Sequence, residues 1–141
     1  MNSPPSDPKP NAARGNNWQG HGSVLIVDDD EAVRDIAAQM VTLCGYKVHQ
    51  AESGPQAIDL VRRSLTPFNL VLLDLTMPGM DGIATFLALR QLQPELAIVI
   101  FSGFSAYDAR QRFAGHNLNG FLQKPFSAGA LRDILMQLTP K

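Results

Sequence analysis

The stretch from Leu70 to Gly82, LVLLDLTMPGMDG, constrains the fold of this chain more than any other: an unbroken apolar run carries a single carboxylate, Asp74, and stops at a Pro and Gly turn. A carboxylate in low dielectric loses its solvation unless a cation, strong donors or an exit to solvent compensates it. Leu70 to Leu73 has the length and composition of a strand covered on both faces, and Met77, Pro78 and Gly79 forbid its continuation. Asp74 is therefore expected at the carboxyl end of a buried parallel strand. Open α/β sheets place their sites there.

With 141 residues, the chain has room for one domain and a short tail. Its net charge of −1 leaves no basic excess for neutralising phosphates, so no nucleic-acid partner is expected. The single cysteine, Cys44, excludes an internal disulfide and suits a reducing compartment. No apolar stretch approaches the roughly 20 residues that span a bilayer, and the start lacks the pattern of a signal peptide. Cytoplasmic location without membrane contact is the expectation.

Residues 1–22 contain Pro4, Pro5, Pro8 and Pro10 among Asn, Ser and Gly, and read as a flexible linker. Trp18 is its one large apolar side chain, expected to be exposed or loosely packed. From Ser23 the texture changes, and residues 23–141 read as the folded domain. VLIV at 24–27 is a first strand that ends in Asp28, Asp29 and Asp30. Val33, Ile36, Ala37, Met40 and Leu43 or Cys44 recur at helical spacing up to Gly45, which suits the left-handed residue after a helix. Tyr46 to Ala51 is a more polar strand, expected at an edge.

Ser53 and Gln56 resemble a capping box, with Pro55 in the first turn and Ala57, Ile58, Leu60 and Val61 as the buried stripe. After the third strand, a helix from Gly82 to Gln93 stops at Pro94. Ala97 to Phe101 is a fourth strand, Ser105 caps a shorter helix ended by Gly115, and Leu118 to Leu122 is a fifth strand. Ser127 caps a last helix that buries Leu131, Ile134, Leu135 and Leu138. Five alternations of apolar strand and helix predict a parallel sheet, doubly wound; right-handed crossovers leave few topologies, and one of these sets the first and third strands side by side.

That order brings Asp28 and Asp29 to Asp74, with Ser102 and Lys124 ending the fourth and fifth strands nearby. Three carboxylates in one crevice repel each other, and Mg²⁺ is the natural remedy because it takes a few carboxylates and leaves positions for phosphate oxygens. Lys124 offers a point charge and Ser102 a hydroxyl to a phosphoryl oxygen. Together these groups describe phosphoryl transfer to an aspartate.

VDD at 27–29, DLTMPGMDG at 74–82, FSG at 101–103 and FLQKPF at 121–126 resemble the receiver domain of two-component response regulators, over Ser23 to Leu138. The resemblance implies a flavodoxin-like (βα)5 fold of strand order 2-1-3-4-5. It makes Asp74 the phosphoacceptor, with Asp28, Asp29, Asp74 and the Thr76 backbone carbonyl holding Mg²⁺. It makes Ser102 the switch hydroxyl, Phe121 the switch aromatic and Lys124 the phosphate-contacting lysine, with a cis bond to Pro125. The implied partner is a histidine kinase or histidine phosphotransfer protein, and the domain is a phosphoacceptor rather than an enzyme in its own right. GNNWQGHG before the first strand and the run from Phe101 to Phe126 look most like receivers joined to hybrid histidine kinases; a stand-alone single-domain response regulator is the alternative. The chain ends after the last helix, so output is expected through a partner or an attached kinase rather than a DNA-binding domain.

Two other classes are weighed. A binding module without turnover would not need the complete acidic, hydroxyl and lysine set. An aspartyl phosphatase would need a second acid where Thr76 stands. Asp30 and Glu31 read as helix-start charges, Asp81 as a turn former, and His21, His49 and His116 as solvated or edge residues. Cys44 reads as a small core hydrophobe. Phe104 is expected to shield the acyl phosphate.

Overall fold

The structure, a computed structural model, describes residues 22–65, 67–75, 82–103, 105–116 and 118–138. Strands and helices alternate: β1 (Ser23–Val27), α1 (Glu31–Leu43), β2 (Lys47–Ala51), α2 (Gly54–Arg63), β3 (Leu70–Asp74), α3 (Gly82–Leu92), β4 (Ala97–Ser102), α4 (Ala106–Arg112), β5 (Gly120–Gln123) and α5 (Ala128–Leu138). All strands are parallel, in the order β2-β1-β3-β4-β5. This is the doubly wound, flavodoxin-like arrangement expected from the sequence. β2 lies at the edge, as its polar composition requires.

β3 and β4 are buried along their whole length because side chains on both faces enter a core. Leu25, Val27, Val71, Leu73, Ile98 and Ile100 point into the layer with Ala57, Val61, Phe86 and Leu89. Val24, Ile26, Leu70, Leu72, Val99 and Phe101 face the layer with Ala37, Val41, Leu131 and Leu135. The alternation of neighbours between the two layers follows from the two-residue period of a strand.

Local signals place the element ends. Asp30 caps α1 by accepting from the Ala32 and Val33 N–H groups, and Gly45 and Gly115 adopt positive φ after their helices. The Ser53 hydroxyl accepts from Gln56 N–H at 3.2 Å, and the Gln56 side chain accepts from Glu52 N–H at 2.7 Å, one residue earlier than the usual reciprocal bond. Ser105 and Ser127 accept from Asp108 and Ala130 N–H as expected.

Three expectations need correction. In α1 the fully buried residues are Ala37 and Val41, whereas Ile36 is 52% and Leu43 80% exposed. Period alone leaves the azimuth of the stripe open, and contact with β1, β2 and α5 turns it toward the small residues. Ile58 and Leu60 of α2 are only partly buried, beside Ala57 and Val61, as are Ile134 and Leu138 of α5, beside Leu131 and Leu135. β5 begins at Gly120, not Leu118, because the Leu118 N–H turns back to the His116 carbonyl at 3.1 Å. No helix among the described residues is long and apolar enough to cross a membrane.

Candidate functional site

Because β1 and β3 are neighbours, their carboxyl ends and the loops that follow form one crevice. Asp28 follows β1 and Asp74 ends β3; they are 1% and 2% exposed, whereas Asp29 points to solvent. One carboxylate oxygen from each of Asp28, Asp29 and Asp74 lies within 4.8 Å of the others. Lys124, after β5, crosses to this cluster: Nζ donates to Asp28 Oδ2 at 2.7 Å and lies 3.6 Å from Asp74 Oδ1. The same ammonium stands 4.8 Å from the centroid of the Phe101 ring, so a cation–π contact holds it from below.

The Asp28 loop is fixed from several sides. Its Oδ1 accepts from Asp30 N–H at 2.9 Å, and its backbone N–H donates to the Ala51 carbonyl at 3.1 Å. Arg34 Nη1 donates to the Asp28 carbonyl at 2.7 Å, while Arg34 Nε donates to Gln50 Oε1 at 3.2 Å. Sequence reading passed over Arg34, and an arginine four residues after a helix cap carries no signal of this tertiary bond. Asp30, read from the sequence as a helix-start charge, caps α1 with its side chain and reaches the site through its backbone N–H.

Ser102 is fully buried at the end of β4, and its carbonyl accepts from Lys124 N–H at 2.7 Å. The Lys124–Pro125 bond is cis. Beside Lys124 an apolar hollow of about 330 Å³ is lined by Val33, Ile36, Pro125 and Phe126. Phe121 stands apart from the acidic cluster; it is partly buried and lines a hollow of about 390 Å³ with Arg110, Phe113, His116 and Asn119. Thr76, Phe104, Asp81, Trp18 and His21 lie outside the described residues.

His49 and His116 take no part in the cluster: the first stacks edge-on to Phe68 and the second to Phe86. Cys44 follows α1, where burial pushes its thiol pKa up against the opposing charge of Arg132, in keeping with an unreactive side chain.

An all-oxygen donor set suits a hard cation. One ammonium against three carboxylates leaves two negative charges, which a divalent ion of Mg²⁺ type offsets. Asp28, Asp29 and Asp74 are the described residues that could hold it.

Residues 24–136 match the family described as response regulator receiver domain. The chain belongs to this family. Relatives of this receiver domain include the sensor kinase CckA of Brucella abortus, 30% identical over 86% of this chain and 13% of that protein. Another is the sporulation initiation phosphotransferase F of Bacillus subtilis, 30% identical over 83% of this chain and 93% of that protein. The fold is similar to that of the chemotaxis response regulator CheY4 of Vibrio cholerae, with a TM-score of 0.76 at 24% identity, over 84% of this chain and 98% of that one. Receiver domains are two-component phosphoacceptors that generally bind Mg²⁺ at an acidic pocket and take phosphoryl groups from histidine kinases or phosphotransfer proteins.

Proposed function

We propose that Asp74 is the phosphoacceptor of this receiver, that Asp28, Asp29, Asp74 and the Thr76 carbonyl hold Mg²⁺, and that the donor is a phosphohistidine. The convergence of three carboxylates and the Lys124 ammonium, from the ends of three different strands, carries this reading. A carboxylate oxygen of Asp74 attacks phosphorus, the P–N bond to the donor imidazole breaks, and the imidazole leaves with the bonding pair. When bound, Mg²⁺ supplies charge neutralisation for the phosphoryl oxygens.

Lys124 moves from Asp28 toward the incoming phosphoryl oxygens, a small displacement because its Nζ already lies 3.6 Å from Asp74. Ser102 donates its hydroxyl to a phosphoryl oxygen, and Phe121 responds by turning inward toward the core it partly contacts. Phe lacks the phenolic hydroxyl, so that movement gains burial and no hydrogen bond. The chain spans 13% of the sensor kinase it resembles and 93% of the phosphotransferase. We assign the domain to a phosphorelay in which it regulates a partner or an attached kinase; the stand-alone subtype is the alternative. A cytoplasmic location goes with this reading, since Cys44 stays reduced there.

The test is intact mass after incubation with acetyl phosphate, with and without Mg²⁺, beside an Asp74→Asn variant. The expected result is a Mg²⁺-dependent phosphoryl adduct that the variant lacks. An adduct that persists in Asp74→Asn would move the acceptor elsewhere. Normal Mg²⁺ binding with no adduct from acetyl phosphate or from a phosphohistidine donor would leave a binding module.

A further inference from the structure

Asp29 is the exposed member of the acidic cluster, so the direction of its carboxylate follows from the backbone on either side of it rather than from packing. Arg34 grips that backbone twice. Its Nη1 donates to the Asp28 carbonyl at 2.7 Å, and its main-chain N–H donates to the Asp30 carbonyl at 3.0 Å. The first of these is charge-assisted and therefore stronger than a bond between two amides. The Asp28 carbonyl and the Asp29 N–H belong to one rigid peptide plane, so a cation held on that oxygen sets the plane from which Asp29 projects. The guanidinium is anchored in turn to the edge strand, because Arg34 Nε donates to Gln50 Oε1 at 3.2 Å. The next residue of β2, Ala51, accepts from Asp28 N–H at 3.1 Å. β2 thus holds Asp28 at both ends, its N–H directly and its carbonyl through Gln50 and Arg34.

The Asp28 carboxylate is held without this clamp, by Asp30 N–H on Oδ1 and by Lys124 on Oδ2. The clamp therefore bears on Asp29. We propose that Arg34 is a positioning residue that fixes Asp29 against Asp28 and Asp74 and thereby sets the preference of the crevice for Mg²⁺ over a larger divalent ion; this rests on the reading of the crevice as a Mg²⁺ site. Mg²⁺ demands near-octahedral geometry at about 2.0–2.1 Å, whereas Ca²⁺ accepts flexible sets of oxygens at about 2.3–2.6 Å. A fixed spacing of the three carboxylates favours the smaller ion, and a loosened loop gives that advantage away. The positive charge of Arg34 also repels any cation in the crevice. That repulsion acts on both divalent ions alike, so it cancels in the ratio of their affinities, and a change in the ratio reports geometry.

Isothermal titration calorimetry of the intact chain with Mg²⁺ and with Ca²⁺ tests this, beside Arg34→Met, Arg34→Lys and Gln50→Ala, each checked for its helical circular dichroism. Arg34→Met should raise the Mg²⁺ dissociation constant about tenfold and the Ca²⁺ constant by a clearly smaller factor, so that the two draw together. Arg34→Lys keeps the charge but not the planar fork, and should fall between the unaltered chain and Arg34→Met. Gln50→Ala, at an exposed and uncharged position, should move the ratio in the same direction by less. If Arg34→Met loses its helical signal, Gln50→Ala decides, and an unchanged ratio there overturns the proposal. Equal factors for the two cations in a folded Arg34→Met overturn the positioning role and leave the Mg²⁺ site standing. Absence of Mg²⁺ binding by the unaltered chain overturns both.

Discussion

Lys124 holds a position between two nearly buried carboxylates, bonded to Asp28 and within reach of Asp74. Removing one partner of such a set leaves a buried charge uncompensated. Lys124→Met should therefore lose about 3 kcal/mol of stability in urea unfolding, and Mg²⁺ should recover part of that loss by replacing the missing positive charge. An equal loss at all Mg²⁺ concentrations would show that the ion and the ammonium do not share Asp28. Phe104 was read from its place two residues past Ser102. Phe104→Glu, which gives water a carboxylate to orient it, should shorten the lifetime of the acyl phosphate proposed at Asp74, measured by loss of the mass adduct with time. The three aspartates read together from the sequence divide by environment, since Asp28 is held by backbone and lysine while Asp29 is open to solvent.

The helix α3 starts hard against the end of β3. A Cβ at Gly82 would lie 2.9 Å from both the Leu75 carbonyl oxygen and Leu75 Cδ1, so the backbone next to Asp74 would have to shift. Gly82→Ala is expected to destabilise the fold by about 1–3 kcal/mol through this overpacking and to slow the phosphorylation proposed at Asp74. Unchanged acetyl phosphate kinetics in a destabilised variant would separate the packing from the chemistry. Elsewhere, element ends follow local chemistry closely: Ser53, Ser105 and Ser127 cap the helices that their positions predict, and Asp30, read as a helix-start charge, caps α1 as well. The exposed side of α1 does not follow from period, because Ile36 fits a helical stripe as well as Ala37 does until the sheet and α5 are in place.

Across the whole molecule, two core layers are joined through strands buried on both faces, and the acidic crevice opens where the crossovers after β1 and β3 diverge. A cation bound there stabilises the folded chain by mass action, about 2.7 kcal/mol at a hundred times its dissociation constant. Thermal unfolding midpoints should rise with Mg²⁺ and saturate, and Asp29→Asn should shift the rise to higher concentration without altering the midpoint in its absence. A midpoint independent of Mg²⁺ would remove the metal from the crevice.

Strand identity, helix caps, the parallel sheet and the gathering of Asp28, Asp29, Asp74, Ser102 and Lys124 at one end of it were legible from local patterns and the handedness of crossovers. These properties depend on short-range sterics, periodicity and a few turn residues, which the chain states directly. The bond from Lys124 to Asp28, the support from Phe101 and Arg34, the unequal burial of Asp28 and Asp29 and the outward side of α1 were decided only in three dimensions. Each depends on which side chains the packed layers bring within a few ångströms across long sequence separations, and no local signal in the chain encodes those distances.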